Sequence, residues 1–171
     1  MSSPVILVTG GYDHKIRHWD AASGVCTRSV QFGESQINCI QISLDKTFLA
    51  AGGNPMINLY DVNSSDDRPL LTYEGHSGNV MGLGFHKDQR WLYSGGEDGS
   101  VRIWDPRTNT TSRKYDCGAS VNSVILHPNE SDLISGDQDG SVKVWDLHAD
   151  KMREEFIPAP DLPVRSISMV S

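Results

Sequence analysis

Short apolar runs, alternating with polar residues at period two and cut by glycine-rich turns, fill the chain from end to end; this is the pattern of β-strands, and no helix-period segment of useful length interrupts it. The clearest stretch is Arg90 to Asp105, R-W-L-Y-S-G-G-E-D-G-S-V-R-I-W-D. Two apolar runs, Trp91 to Tyr93 and Val101 to Trp104, flank a Gly-Gly-Glu-Asp-Gly turn. There Gly99 supplies positive φ without steric cost and Asp98 can bond its own backbone, so the spacing predicts an antiparallel hairpin. The same hairpin recurs, ending at Asp20, Asp61 and Asp146 as well as Asp105, so successive copies lie 41, 44 and 41 residues apart.

That period, with a Trp-Asp or Tyr-Asp pair closing each copy, resembles the WD-repeat β-propeller, whose blades are four-stranded and roughly 40 to 45 residues long. The expected fold is all-β: about four blades over residues 4–31, 36–74, 79–116 and 120–157, with the start of another at 164–171. The first unit predicts strands at Val5 to Thr9, Lys15 to Trp19 and Val25 to Val30, which are strands b, c and d of a blade without its inner strand a. The second predicts Ile37 to Ser43, Phe48 to Ala51, Met56 to Tyr60 and Pro69 to Tyr73; the third and fourth follow suit, and Val164 to Met169 reads as one more inner strand. WD-repeat propellers resemble closed rings of about seven blades, roughly 300 residues at this period, so the 171 residues are expected to form part of a ring.

Charge and cysteine usage narrow the function. A net charge of −7 with scattered Lys and Arg disfavours nucleic-acid binding, which needs a basic surface to release counterions. Cys26, Cys39 and Cys117 are odd in number and form no C-x-x-C pair, so neither a disulfide framework nor a zinc site is expected. The N-terminal apolar run is too short for a signal peptide or a membrane span, which predicts a cytoplasmic protein without membrane insertion, and three N-x-S/T matches then read as polar turns.

Candidate chemistry reduces to one group. His76, Ser94, Asp98 and Trp104 occupy the positions at which WD-repeat blades, by that resemblance, hold a hydrogen-bonded His, Ser, Asp and Trp. The buried indole and the carboxylate both need partners in a dry blade. A Ser, a His and an Asp would also suit a hydrolase, but the Ser and Asp positions recur as Thr9 with Asp13 and as Ser135 with Asp139, as a structural repeat does. The fourth unit offers Cys117-Gly118 in place of Gly75-His76, and the second has Tyr60 for Trp and Asn54 near the Asp position. Those blades are expected to lean on apolar packing. His86 and His127 read as turn residues, His14, His18 and His148 form no spaced ligand set, and the glycine-rich turns lack the Lys-Ser/Thr of a phosphate loop. No catalytic residue, metal or cofactor is expected.

Several segments carry a more specific likeness: Gly11 to Gln31 (G-Y-D-H-K-I-R-H-W-D-A-A-S-G-V-C-T-R-S-V-Q), Phe85 to Asp98, L-H-P-N at Leu126 to Asn129 and I-P-A-P at Ile157 to Pro160. In these the chain is similar to the Gβ-like WD-repeat subunits of the TOR kinase complexes. The resemblance implies a non-catalytic propeller that docks on the TOR kinase domain and stabilises it alongside the other complex subunits. Another WD-repeat adaptor, such as a ubiquitin-ligase substrate receptor or a G-protein β subunit, is the alternative. A ligase receptor that reads phosphorylated segments should cluster Arg at the channel mouth, where only Arg165 falls. Sheet faces are consumed between blades, which leaves the ring faces for partners. Asn38, Met81 and Asn122, one residue into the inner strands, and Tyr12, Glu97 and Gln138, just before the turn Asp, are expected to share one such face, with Tyr12 and Met81 as anchors.

Overall fold

The computed structural model describes residues 5–170. The expected blade start at residue 4 and the last residue of the 164–171 segment lie outside them. Fifteen strands form four antiparallel sheets stacked face to face as blades. Blade 1 holds β1 (Ile6–Gly10), β2 (Lys15–Asp20) and β3 (Cys26–Gln31). Blade 2 holds β4 (Cys39–Ile42), β5 (Phe48–Gly52), β6 (Ile57–Asp61) and β7 (Leu71–Tyr73). Blade 3 holds β8 (Val80–Phe85), β9 (Leu92–Gly96), β10 (Ser100–Trp104) and β11 (Thr111–Asp116), and blade 4 holds β12 (Val121–Leu126), β13 (Asp132–Asp137), β14 (Val142–Asp146) and β15 (Lys151–Phe156). In each sheet the strands pair in chain order, so every connection is a hairpin.

The alternation that predicts the strands also divides their side chains between two interfaces. On β10, Val101 and Ile103 face blade 4 and pack with Val121, Val124, Leu133 and Trp145, while Trp104 faces blade 2 and packs with Ile57, Leu59 and Tyr73. The core is therefore three inter-blade layers, and the third joins Ile16, Val30 and Phe32 of blade 1 to Ile37, Leu49 and Tyr60 of blade 2. A central strand buried on both faces cannot carry polar residues without partners, which is why the hydrogen-bond groups described below sit there.

A glycine in β1, β5, β9 and β13 sets the spacing. A Cβ on Gly10 would lie 2.6 Å from Ile37, two residues before β4, on Gly52 2.8 Å from Val80, which opens β8, and on Gly95 2.6 Å from Val121, which opens β12. Gly136 repeats this against Val164, whose N–H is donated to the Asp137 carbonyl at 3.0 Å, as that of Val80 is to Gly53 at 2.8 Å. Val164 thus takes the position that opens an inner strand, and the Ile167 N–H is donated to Ser123 Oγ at 3.1 Å. The expected strand 164–169 is nonetheless not part of a ladder, because no strand pairs with it among the described residues.

Candidate functional site

In blade 3 the His76 group closes as a chain of protons. Trp104, fully buried, donates its indole N–H to Ser94 Oγ at 2.8 Å, Ser94 lies 2.7 Å from His76 Nε2, and His76 Nδ1 lies 2.9 Å from Asp98. One arrangement satisfies every atom: indole N–H to Ser94, Ser94 O–H to Nε2, and Nδ1–H to the carboxylate. Burial pushes the His76 pKa down and the Asp98 carboxylate only partly opposes it, so the ring is neutral and the contact is a hydrogen bond between a neutral ring and a carboxylate. Burial would raise the Asp98 carboxyl, but hydrogen bonds from His76 and Ser100 outweigh it and hold the pKa below the usual carboxylate value. With the Ser94 hydroxyl fully buried and both its proton and its lone pair committed, the arrangement is that of a structural clamp.

The other blades solve the same problem with different residues. In blade 1 the half-buried Trp19 donates to Thr9 Oγ1 at 2.9 Å, while Asp13 pairs with Arg17 at the surface. In blade 4 Trp145 donates to Ser135 Oγ at 2.9 Å, and the thiol of Cys117, 3.7 Å from that oxygen, stands where His76 stands in blade 3. The match is to Cys117 itself, one residue off the expected Cys117-Gly118 alignment. The expected carboxylate, Asp139, is also displaced. Asp137 is the buried one, accepting from Lys143 Nζ at 2.6 Å and from the Ser141 N–H at 2.8 Å. Burial alone would lower the Lys143 pKa, but Asp137 and Glu155 reverse the direction and raise it.

Blade 2 corrects the expectation of apolar packing outright. Asn58, 3% exposed on its central strand, donates to the Phe32 carbonyl at 3.1 Å and to Tyr60 Oη at 3.2 Å, and accepts from Thr72 Oγ1 at 2.8 Å. Tyr60 replaces the indole, and a single amide replaces the hydroxyl, imidazole and carboxylate.

At the ring face formed by the β9–β10 and β13–β14 turns, some of the expected partner residues meet. Asn79 Nδ2 donates to Glu97 Oε2 at 2.7 Å, and Asn79 Oδ1 accepts from Asn38 at 3.1 Å and from Gln36 at 3.0 Å. Asn122 donates to the Val164 carbonyl at 3.0 Å and to Gln138 Oε1 at 3.3 Å. Asn38 and Asn122 each reach across to the next blade's entry, and the half-buried Met81 holds the equivalent place in blade 3. Tyr12 is 84% exposed and its side chain makes no hydrogen bond to this belt among the described residues. Asn79 and Gln36 were not anticipated; each directly precedes an inner strand's first buried residue, Val80 and Ile37, so the repeat phase could have found them.

At the opposite strand end, His86, Asp88 and Glu130 bring their possible ligand atoms within 4.8 Å of one another. His86 Nδ1 accepts the Asp88 N–H at 3.1 Å, Nε2 faces Glu130 at 3.1 Å, Glu130 also pairs with Lys87 at 3.0 Å, and Asp88 with Arg90 at 2.8 Å. His127 Nδ1 likewise accepts the Asn129 N–H at 3.1 Å, as a turn residue does. Among the described residues no helix is long and apolar enough to cross a membrane.

Comparison with known proteins fits this geometry. The WD domain, G-beta repeat family matches residues 24–61, 67–105 and 110–146. The target of rapamycin complex subunit wat1 of Schizosaccharomyces pombe is 48% identical over 98% of this chain and 53% of its own length. Subunit LST8-1 of Arabidopsis thaliana is 48% identical over 99% of the chain and 56% of its own, and subunit LST8 of Saccharomyces cerevisiae 43% over 98% and 55%. The chain thus spans about half the length of the curated relatives it matches. A chain of the mitotic checkpoint complex superposes with a TM-score of 0.84 over 94% of this chain and 49% of its own, at 24% identity, a likeness of fold alone.

Proposed function

The chain belongs to the WD domain, G-beta repeat family, and on that premise we propose that it is a non-catalytic scaffold that binds the TOR kinase domain in the cytoplasm and stabilises it within both TOR complexes. The observation that carries the proposal is the likeness, at 43 to 48% identity along nearly the whole chain, to proteins named as subunits of target of rapamycin complexes. The His76 group supports a non-catalytic reading, because its members satisfy one another inside the blade. The docking face is the one that carries Asn38, Glu97, Asn122 and Gln138. Its polar belt is already hydrogen-bonded, so it meets a partner with little reorganisation, and Tyr12 and Met81 supply the large side chains that contribute most at interface cores.

Co-purification of the tagged chain from cell extract, with identification of what is bound, tests this. TOR kinase and its complex subunits are the expected companions. Recovery of ubiquitin-ligase or G-protein components in their place contradicts the proposal and supports the other adaptor reading.

A further inference from the structure

At the strand ends opposite the Glu97 and Gln138 turns, a half-open cavity of about 420 Å³ lies in the seam between blades 3 and 4. Its wall carries Arg90, Trp91, Arg107, Arg113 and His148, above a floor formed by Ile103 and Leu147. In a chain of net charge −7 three arginines, Arg90, Arg107 and Arg113, gather here, with Lys87 beside them on Glu130. The two carboxylates that also line it are committed. Asp105 accepts from Arg107 Nε at 3.0 Å, Nη2 at 2.8 Å and its backbone N–H at 2.9 Å, and Glu130 faces Lys87 and His86.

The donors are another matter. Arg90 and Arg107 are 72% and 84% exposed, and each is held only by a carboxylate two residues away. Exposed pairs of this kind are weak and exchange readily with solvent, and each guanidinium has N–H groups to spare. Arg113 lines the cavity while donating to the Leu147 carbonyl and lying 3.6 Å from Asp150, so it is the most committed of the three. Trp91 differs from the other three tryptophans: each of their indole N–H groups is donated to a hydroxyl, whereas that of Trp91 has no partner among the described residues. Its ring is fixed by Tyr93 at 6.1 Å and His86 at 4.8 Å between centroids.

The cavity therefore presents available donors and an apolar floor, with its acceptors occupied. We propose that the seam between blades 3 and 4 is a docking site for an acidic segment of a partner protein. The segment's carboxylates lie on Arg90, Arg107 and Arg113, and an apolar side chain is seated against Trp91 over Ile103 and Leu147. The site lies on the face opposite the belt assigned to the kinase and shares no residue with it, so it stands whether or not that assignment does.

The test is fluorescence anisotropy of the labelled peptide Glu-Glu-Phe-Glu-Glu, with Lys-Lys-Phe-Lys-Lys as control, at ionic strengths of about 0.05 and about 0.3 M. Saturable binding of the acidic peptide, weakening with salt, is expected. The Arg90→Glu, Arg107→Glu double variant should lose at least about tenfold in affinity, and Trp91→Phe should weaken it separately, with the melting temperature of the double variant unchanged. Failure of the acidic peptide to saturate, equal binding of the basic peptide, or undiminished binding by the double variant overturns the proposal. So does displacement by inorganic phosphate beyond that by chloride of matched ionic strength, which assigns the seam to phosphate.

Discussion

Replacing Ser94 with Ala isolates what the blade 3 clamp contributes. The hydroxyl accepts from the Trp104 indole at 2.8 Å and sits 2.7 Å from His76 Nε2; Trp104 is fully buried and His76 is 4% exposed, so neither finds water when the oxygen is gone. Each stranded buried polar group costs about 1 to 3 kcal/mol, and two of them give a loss of roughly 2 to 5 kcal/mol. For a domain of this size that is a drop of about 5 to 15 °C in melting temperature. The repeats provide internal controls. Ser135→Ala strands only the Trp145 indole, because Cys117 is a weak partner at 3.7 Å, and should cost about 1 to 3 kcal/mol. Thr9→Val leaves the half-buried Trp19 near solvent and should cost about 1 kcal/mol or less. Chemical and thermal unfolding of the three variants reads the order Ser94 > Ser135 > Thr9. A Ser94→Ala loss no larger than that of Thr9→Val refutes the reasoning, as does any catalytic turnover that disappears with Ser94.

Acid should weaken the fold. Burial lowers the folded-state pKa of His76 and of His18, so the unfolded chain binds more protons below about 6.5. Their contribution to stability is full above that pH and is lost as pH falls toward the depressed folded values, while Asp98 adds a loss below its own unfolded value of 3.8. Unfolding measured from pH 7.5 to 5 should show His76→Gln with a shallower slope than the native chain, by up to about 1.4 kcal/mol per pH unit; parallel slopes count against a neutral buried His76. Asn58→Leu should lower stability by about 2 to 4 kcal/mol by stranding the Phe32 carbonyl and the hydroxyls of Tyr60 and Thr72, whereas Tyr60→Phe should cost about 1 kcal/mol; equal losses contradict the central place given to the amide. Gly136→Val should displace Val164 and speed protease cleavage within residues 157–169, and an unchanged digestion pattern means that Val164 is not seated there.

The hairpins and their period were legible in the sequence because both are local: alternation assigns the strands, and glycine and aspartate mark the turns. Strand ends shifted by a residue or two, as in blade 2, where the inner strand expected from Ile37 begins at Cys39. What escaped the sequence was the choice of buried polar partner. Asn58 stands where the other blades place Arg17, Arg102 and Lys143, and nothing in a strand's periodicity says that an amide is sealed in where its counterparts pair with a carboxylate. Asp137 and Asp139 lie two residues apart, one buried at a strand end and one exposed in the turn, and the buried one is the one that Lys143 reaches. Within the candidate face, the phase of the repeat singled out Asn38, Glu97, Asn122 and Gln138 but passed over Asn79, which ties two of them together from the residue just before β8. The donor-rich seam was hidden for a different reason. It is assembled from turns of two blades, and its members are more than 50 residues apart in the chain, from Arg90 to His148.

The account stands most directly on binding of the purified chain to purified TOR kinase domain, followed by surface interferometry for the native chain and for Tyr12→Ala with Met81→Ala. Tyr12 is exposed and Met81 half-buried, so the double variant should keep its melting temperature. Saturable binding by the native chain, weakened at least about tenfold in the variant as expected for anchor residues, is the predicted result. No binding by the native chain, or equal binding by both proteins, contradicts it.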